Sequence, residues 1–212
     1  MVMRDVSVGW RIELKKKDFV VRFAGEGGQG VVTSAEGLAQ AMAQSGYYVQ
    51  TFSTFPSQIR GGPTWTQTRI STSEVLSSGD ELDVLVAFNE YAYNTHKSEV
   101  GADGVIVFNN GEFEIEESDN VLGMDFDELA KQTGNNRAAN FVVMGALANL
   151  VDLPLQVLED FNRERYTRGR PSDQQIIDSN NMALSLGANE ASTSGFSLGE
   201  LAEPVKPDGD QI

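Results

Sequence analysis

An apolar run, Phe19-Val20-Val21-Arg22-Phe23-Ala24, passes directly into Gly25-Glu26-Gly27-Gly28-Gln29-Gly30 and then into Val31-Val32. A strand that ends in Gly-x-Gly-x-x-Gly and opens a helix lets the main chain approach a phosphate closely. The open amides and dipole of the helix N-terminus then favour negative charge. The pattern predicts a phosphate cradle for a nucleotide or nucleotide-like cofactor. The same spacing also serves plain strand-to-helix packing, so the glycines alone leave a structural role open.

The surrounding pattern supplies a context for that loop. Strands are expected at about 18–24, 47–53, 65–71, 83–88 and 104–109, separated by helical or loop stretches. Asp83-Val84-Leu85-Val86-Ala87-Phe88 is a continuous apolar run, suited to a central strand buried on both faces. A helix is expected over Ser34–Ser45, stopped by Gly46. Beyond residue 120 the period becomes helical, with a capped start at Asp125, an apolar helix over Ala138–Val151, one from Pro154 to about Tyr166 and one over Pro171–Leu186. The fold class expected is α/β: an open, mostly parallel, Rossmann-like sheet with helices on both faces, C-terminal helices and an extended tail. Residues 1–17 are expected to form an N-terminal arm or added strand, 18–187 the domain, and 188–212 a linker or extended arm rich in Ala, Ser, Gly, Pro and acid.

Charge and composition narrow the chemistry. A formal charge of -15, from 31 acidic and 16 basic residues, repels a polyanion, so nucleic acid is not expected as a partner. No apolar run is long enough to span a membrane, and a cytoplasmic location is expected. The chain has no cysteine, which removes any thiol nucleophile or cysteine-held iron–sulfur cluster from its own residues. His96, the sole histidine, stands in the polar run Asn94-Thr95-His96-Lys97 and reads as a solvated surface residue. Neither a metal set nor a catalytic triad emerges, and Glu112-x-Glu114-x-Glu116-Glu117 reads as a solvated face. No catalytic residue is assigned.

Binding residues are easier to nominate. Dinucleotide sites want an acid at the end of the second strand to hold a ribose hydroxyl. Here that region reads Tyr48-Val49-Gln50-Thr51-Phe52-Ser53-Thr54, without one. Ordinary NAD binding is therefore disfavoured. The loop Ser53-Thr54-Phe55-Pro56-Ser57-Gln58-Ile59-Arg60-Gly61-Gly62-Pro63 offers hydroxyls, one guanidinium and glycine amides for an anion, or else is a turn with a surface arginine. Asn89 and Glu90 follow the apolar strand at the same expected sheet edge, to cap a helix or to touch a ligand. Trp65 fits core packing or an interface anchor.

Three of these segments in order, Arg22–Val32, Ser57–Gly62 and Leu82–Asn89, together with the helix Asn136–Val151, resemble the gamma subunit or domain of 2-oxoacid:ferredoxin oxidoreductases over about residues 18 to 187. The resemblance implies a cytoplasmic multi-subunit oxidoreductase that decarboxylates a 2-oxoacid, such as 2-oxoglutarate or pyruvate, with coenzyme A and reduces ferredoxin. 2-Oxoglutarate is mildly favoured, because fused gamma and alpha portions are common in that branch. It implies coenzyme A in this chain, and thiamine diphosphate, Mg2+ and iron–sulfur clusters in partner alpha and beta subunits or domains, with homodimerisation of the assembly left open. By motif match Gly27, Gly28, Gln29 and Gly30 are loop residues and Arg60 a phosphate contact, with Gly25 nominated from the glycine spacing and Ser53, Asn89 and Glu90 mainly from sheet-edge position. A purely architectural subunit and an independent nucleotide-binding oxidoreductase are the competing expectations.

Overall fold

Apolar runs without alternation belong in the middle of a sheet, and that is where the two longest lie. The computed structural model describes residues 15–55, 61–116 and 120–204. In it β1 (Asp18–Glu26) and β4 (Leu82–Ala87) are buried along most of their length. The strand order is β2-β3-β1-β4-β5-β6, with β2 (Tyr48–Thr54), β3 (Pro63–Ser71), β5 (Val100–Asn109) and β6 (Val121–Met124). β1, β4, β5 and β6 pair in parallel, while β3 runs antiparallel to both β1 and β2. The α/β, mostly parallel sheet expected from the sequence is present. β3 is the reversed strand because residues 55–62 are too few for the crossover a parallel pair needs. β6 was not expected, since four residues are too short to show a period.

Among the described residues five helices cover one face: α1 (Val31–Gln44), α3 (Phe126–Gln132), α4 (Ala139–Leu150), α5 (Leu155–Tyr166) and α6 (Asp173–Ser194). They enclose Phe19, Val21 and Phe23 of β1 and Ile70 of β3 in the larger core. The opposite face carries α2 (Glu90–His96), packed through Ala92 on Val20, Leu85, Ile106 and Phe108. Among the described residues no helix is long and apolar enough to cross a membrane.

α6 corrects the reading of the C-terminal stretch. It continues through Gly187 to Ser194 and ends on Gly195, whose φ of 75° suits a left-handed stop. Gly187 marks a helix crossing: a Cβ there would lie 1.9 Å from the Val142 carbonyl oxygen, and one on Gly145 would lie 2.0 Å from that of Leu184. Leu201 is then buried in the main core, flanked by Lys16 N–H donating to Glu200 O and Ala202 N–H donating to Lys16 O, both at 2.8 Å. The chain therefore stays in the domain well past residue 187. Residues 1–14 and 205–212, which hold most of the expected arm and the end of the expected tail, lie outside the described residues.

His96 is a second correction. It is 8% exposed, because Ala92 and His96 are one helical turn apart and both turn toward the sheet. There it meets Arg22, which the alternation of β1 sends to the α2 face. The Arg22 guanidinium donates through Nε (3.0 Å) and Nη2 (2.6 Å) to Gln67 Oε1. Its Nη1 lies 2.9 Å from His96 Nδ1 and 2.6 Å from Glu99 Oε1. Its planar group sits 4.4 Å from the Trp65 ring centroid. Trp65 is thus part of a packed cluster rather than a bare anchor.

Burial pushes the Glu99 carboxyl up, but the hydrogen bonds from Arg22 and His96 outweigh it and hold the group below its usual range. A carboxyl depressed in the folded state adds stability above its unfolded pKa, about 4.3, and loses it as pH falls through the folded value. Glu99→Gln is therefore expected to flatten the fall in urea midpoint below about pH 5. Parallel pH profiles for the two proteins would remove this contribution.

Candidate functional site: the glycine-loop cleft

The loop after β1 needs glycine for two separate reasons. At Gly25 the backbone passes too close for a side chain, since a Cβ would lie 2.7 Å from Gln29 Oε1 and 2.8 Å from Phe88 Cβ. Gly28 and Gly30 have φ of 106° and 93°, conformations that favour glycine, and a Cβ on either would meet nothing within 4 Å. Among the described residues nothing crowds these two positions. Gly30 leads into α1 with no side-chain cap and no acid in the first helical turn. The first amides of α1 consequently have no partner from a side-chain cap, the arrangement that attracts an anion.

Gln29 and Asn89 fasten this loop. Gln29 Oε1 accepts from Glu26 N–H and from Asn89 Nδ2, both at 2.8 Å. Asn89 Oδ1 meanwhile accepts Ala92 N–H at 2.9 Å and caps α2. Asn89 thus does both things expected of it as alternatives, except that what it touches is the loop. Gly27 N–H donates to Gly62 O at 3.4 Å, which brings the second glycine-containing loop against the first.

Beside the loop opens a cleft of about 360 Å3, at the carboxyl ends of β4 and β5 and next to β1, where the chain's connections diverge to the two sides of the sheet. Gly28, Gln29 and Gly30 line it on one side, and Asn136, Arg137 and Asn140 at the start of α4 line it on another. Arg137 is the sole cation among the described residues that line it, and none of the described ion pairs uses its side chain. Glu112 and Asp127 also line the cleft, so its one described cation shares the space with two carboxylates.

Three nominated residues, Gly28, Gln29 and Gly30, line the cleft, and Gly25, Gly27 and Asn89 shape it. Ser53 does not join them: it lies on edge strand β2, with its Oγ 2.9 Å from Thr66 Oγ1. Glu90 is exposed in the first turn of α2, away from the cleft lining. Arg60 lies outside the described residues. Sequence reasoning missed Arg137. A signal existed, since a cation just before a helix N-terminus is disfavoured by the helix dipole and asks for another reason to be there.

Residues 20–190 match the family described as pyruvate ferredoxin/flavodoxin oxidoreductase. The chain belongs to this family. Within the pyruvate ferredoxin/flavodoxin oxidoreductase family, one relative is ketoisovalerate oxidoreductase subunit VorA of Methanothermobacter marburgensis, 30% identical over 81% of this chain and 36% of its own length. Pyruvate synthase subunit PorC of Thermotoga maritima is 28% identical, over 84% of this chain and 97% of its own. The chain thus spans about a third of the VorA relative and nearly all of PorC. Among solved structures it is similar to a 2-oxoglutarate:ferredoxin oxidoreductase from Magnetococcus marinus with 2-oxoglutarate, coenzyme A and succinyl-CoA bound. The TM-score is 0.79 and the identity 30%, covering 92% of this chain and 34% of that one. PorC itself, at 24% identity and a TM-score of 0.66, shares the fold.

Proposed function

We propose that this chain is the gamma component of a 2-oxoacid:ferredoxin oxidoreductase, and that its glycine-loop cleft holds the phosphates of coenzyme A. The observation that carries the reading is the uncapped start of α1 behind Gly28 and Gly30, with the Arg137 guanidinium on the same cleft. The donors fit the group: main-chain amides and a planar cation suit a diphosphate, and among the described residues no side chain comes within 4 Å of where a Cβ on Gly28 or Gly30 would stand. The bound structure from Magnetococcus marinus supports coenzyme A as the carrier.

Coenzyme A supplies a thiol to receive an acyl group. This chain's part is positional: the α1 amides and Arg137 hold the anionic middle of the carrier while Gln29 and Asn89 keep the loop in shape. Alpha and beta components carrying thiamine diphosphate, Mg2+ and iron–sulfur clusters, with ferredoxin as acceptor, complete the proposal. It agrees with a chain that has no cysteine to hold a cluster.

In the assembled enzyme, Arg137→Ala is expected to raise the KM for coenzyme A about 10- to 100-fold, the scale of one charge-assisted hydrogen bond. The KM for the 2-oxoacid should not move. Unchanged coenzyme A kinetics would reject the site, and no calorimetric heat with coenzyme A would leave the loop a packing role.

A further inference from the structure

Arg137 belongs to two cavities. Its second one, about 820 Å3, opens on the other side of residues 133–137 and is walled by Tyr166 at the end of α5 and by Gln175, Ser179 and Met182 of α6. Ligand sites of drug-like size run from about 300 to 1,000 Å3. The glycine-loop cleft, at 360 Å3, is at the small end of that range and can take only part of an extended carrier. The larger groove adjoins it at the residue proposed to hold phosphate.

The charge beside this groove is unusual for the chain. Of 16 basic residues in a protein of net charge -15, four are arginines within Arg163-Glu164-Arg165-Tyr166-Thr167-Arg168-Gly169-Arg170. Arg163 pairs with Asp160 at 2.9 Å and Arg165 donates to Gln40 at 3.0 Å. The guanidinium of Arg168 lies 5.5 Å from the ring centroid of Tyr166, a wall of the groove. No described ion pair uses the side chains of Arg168 or Arg170. Asp173 accepts the main-chain amides of Arg168 (2.6 Å) and Arg170 (2.9 Å), and the Arg170 charge nearby also helps to hold its carboxyl below the usual range. Arg168 Nε donates to Arg165 O at 3.1 Å, and none of the described hydrogen bonds uses its terminal nitrogens or the Arg170 guanidinium, which can therefore meet an anion beyond Arg137.

We infer that this groove takes the 3′-phosphorylated nucleoside end of coenzyme A, and that Arg168 and Arg170 bind its 3′-phosphate; the inference rests on the coenzyme A reading of the glycine-loop cleft. The direction follows from charge. The pantetheine arm is neutral and gives a guanidinium nothing to bind, whereas the nucleoside end carries the second anionic group, separated by the ribose from the diphosphate at Arg137. The Tyr166 ring and the Met182 thioether offer a flat polarisable surface for a purine. Asp178, the carboxylate of the groove, has Oδ1 accepting Gln174 at 2.7 Å and can accept an amino or ribose hydroxyl donor as well.

The test is calorimetric titration of the assembled complex with coenzyme A, dephospho-coenzyme A and 4′-phosphopantetheine. Native protein is expected to prefer coenzyme A over dephospho-coenzyme A by about tenfold or more, the scale of a charge-assisted contact. The Arg168→Ala/Arg170→Ala variant, altered only at exposed side chains, should lose that preference while binding dephospho-coenzyme A as native protein does. Met182→Trp, at a residue 47% exposed, should narrow the groove and weaken coenzyme A but not 4′-phosphopantetheine. A native preference that survives both variants overturns the groove and leaves the Arg137 result standing. Failure of coenzyme A to bind native protein overturns both.

Discussion

Gly187→Ala should destabilise the protein by about 3 kcal/mol or more, against the usual sign for such a change. In an ordinary helix interior, replacing glycine by alanine gains about 1 kcal/mol. Here the new methyl would stand 1.9 Å from the Val142 carbonyl oxygen and 2.7 Å from its carbon. Both belong to the backbone of α4, which cannot yield as a flexible side chain would. α4 and α6 would have to move apart, opening gaps around Phe141, Val143, Ala183 and Leu184, which are 2% exposed or less. Overpacking of this kind costs about 1–3 kcal/mol and occasionally more, a large share of the 5–15 kcal/mol typical of a domain. Gly145→Ala, the reciprocal contact at 2.0 Å from Leu184 O, should behave alike. Gly37→Ala is the control, because its methyl would meet no backbone, only the adaptable Met144 thioether 3.2 Å away at Sδ and Phe161 Cε1 at an ordinary contact of 3.6 Å. Urea unfolding reads all three. Equal or higher stability for Gly187→Ala would show that the helices do not cross there in backbone contact.

Arg22→Met should be the second large loss, about 3 kcal/mol, although it keeps most of the side chain's length and apolar bulk. The native guanidinium is 6% exposed and answers Gln67, His96 and Glu99 together. Removing it strands the Gln67 carbonyl oxygen and leaves the Glu99 carboxylate without its strongest partner, and stranded polar groups cost more than the contacts themselves. Gln67 also donates through Nε2 to Ser78 O (2.6 Å) and Gly79 O (3.1 Å), so the loop before β4 should loosen with it. Hydrogen exchange at residues 76–80 would report that loosening. Arg22→Met/Glu99→Gln should recover part of the loss. A single variant as stable as the native protein would mean the cluster is no more than solvated polar surface.

The parts of this fold that were readable in the sequence are those set by local pattern. The apolar runs of β1 and β4, the glycines of the first loop and the helix start at Asp125 each follow from residue type and spacing, and each stands where expected. Long-range packing was not readable. Gly187 resembles the start of a linker in a Ser- and Ala-rich context, and only its approach to Val142 explains why a glycine lies inside a helix. His96 sits among polar neighbours along the chain, yet its i, i−4 partner Ala92 faces the sheet and carries it inward. The site divides in the same way. Its loop was visible as a motif, whereas Arg137 comes from a segment more than 100 positions away and joins the cleft only through the packing of α4 on α1.

The pairing of Lys16 with Leu201 has a topological consequence. It places the first and last described elements of the domain side by side at one corner, although 185 positions separate them. A unit whose two ends emerge as neighbours can be spliced into, or appended to, a larger polypeptide without stretching a connector across its surface. That geometry suits a module matching a whole short subunit in one relative and about a third of a longer polypeptide in another.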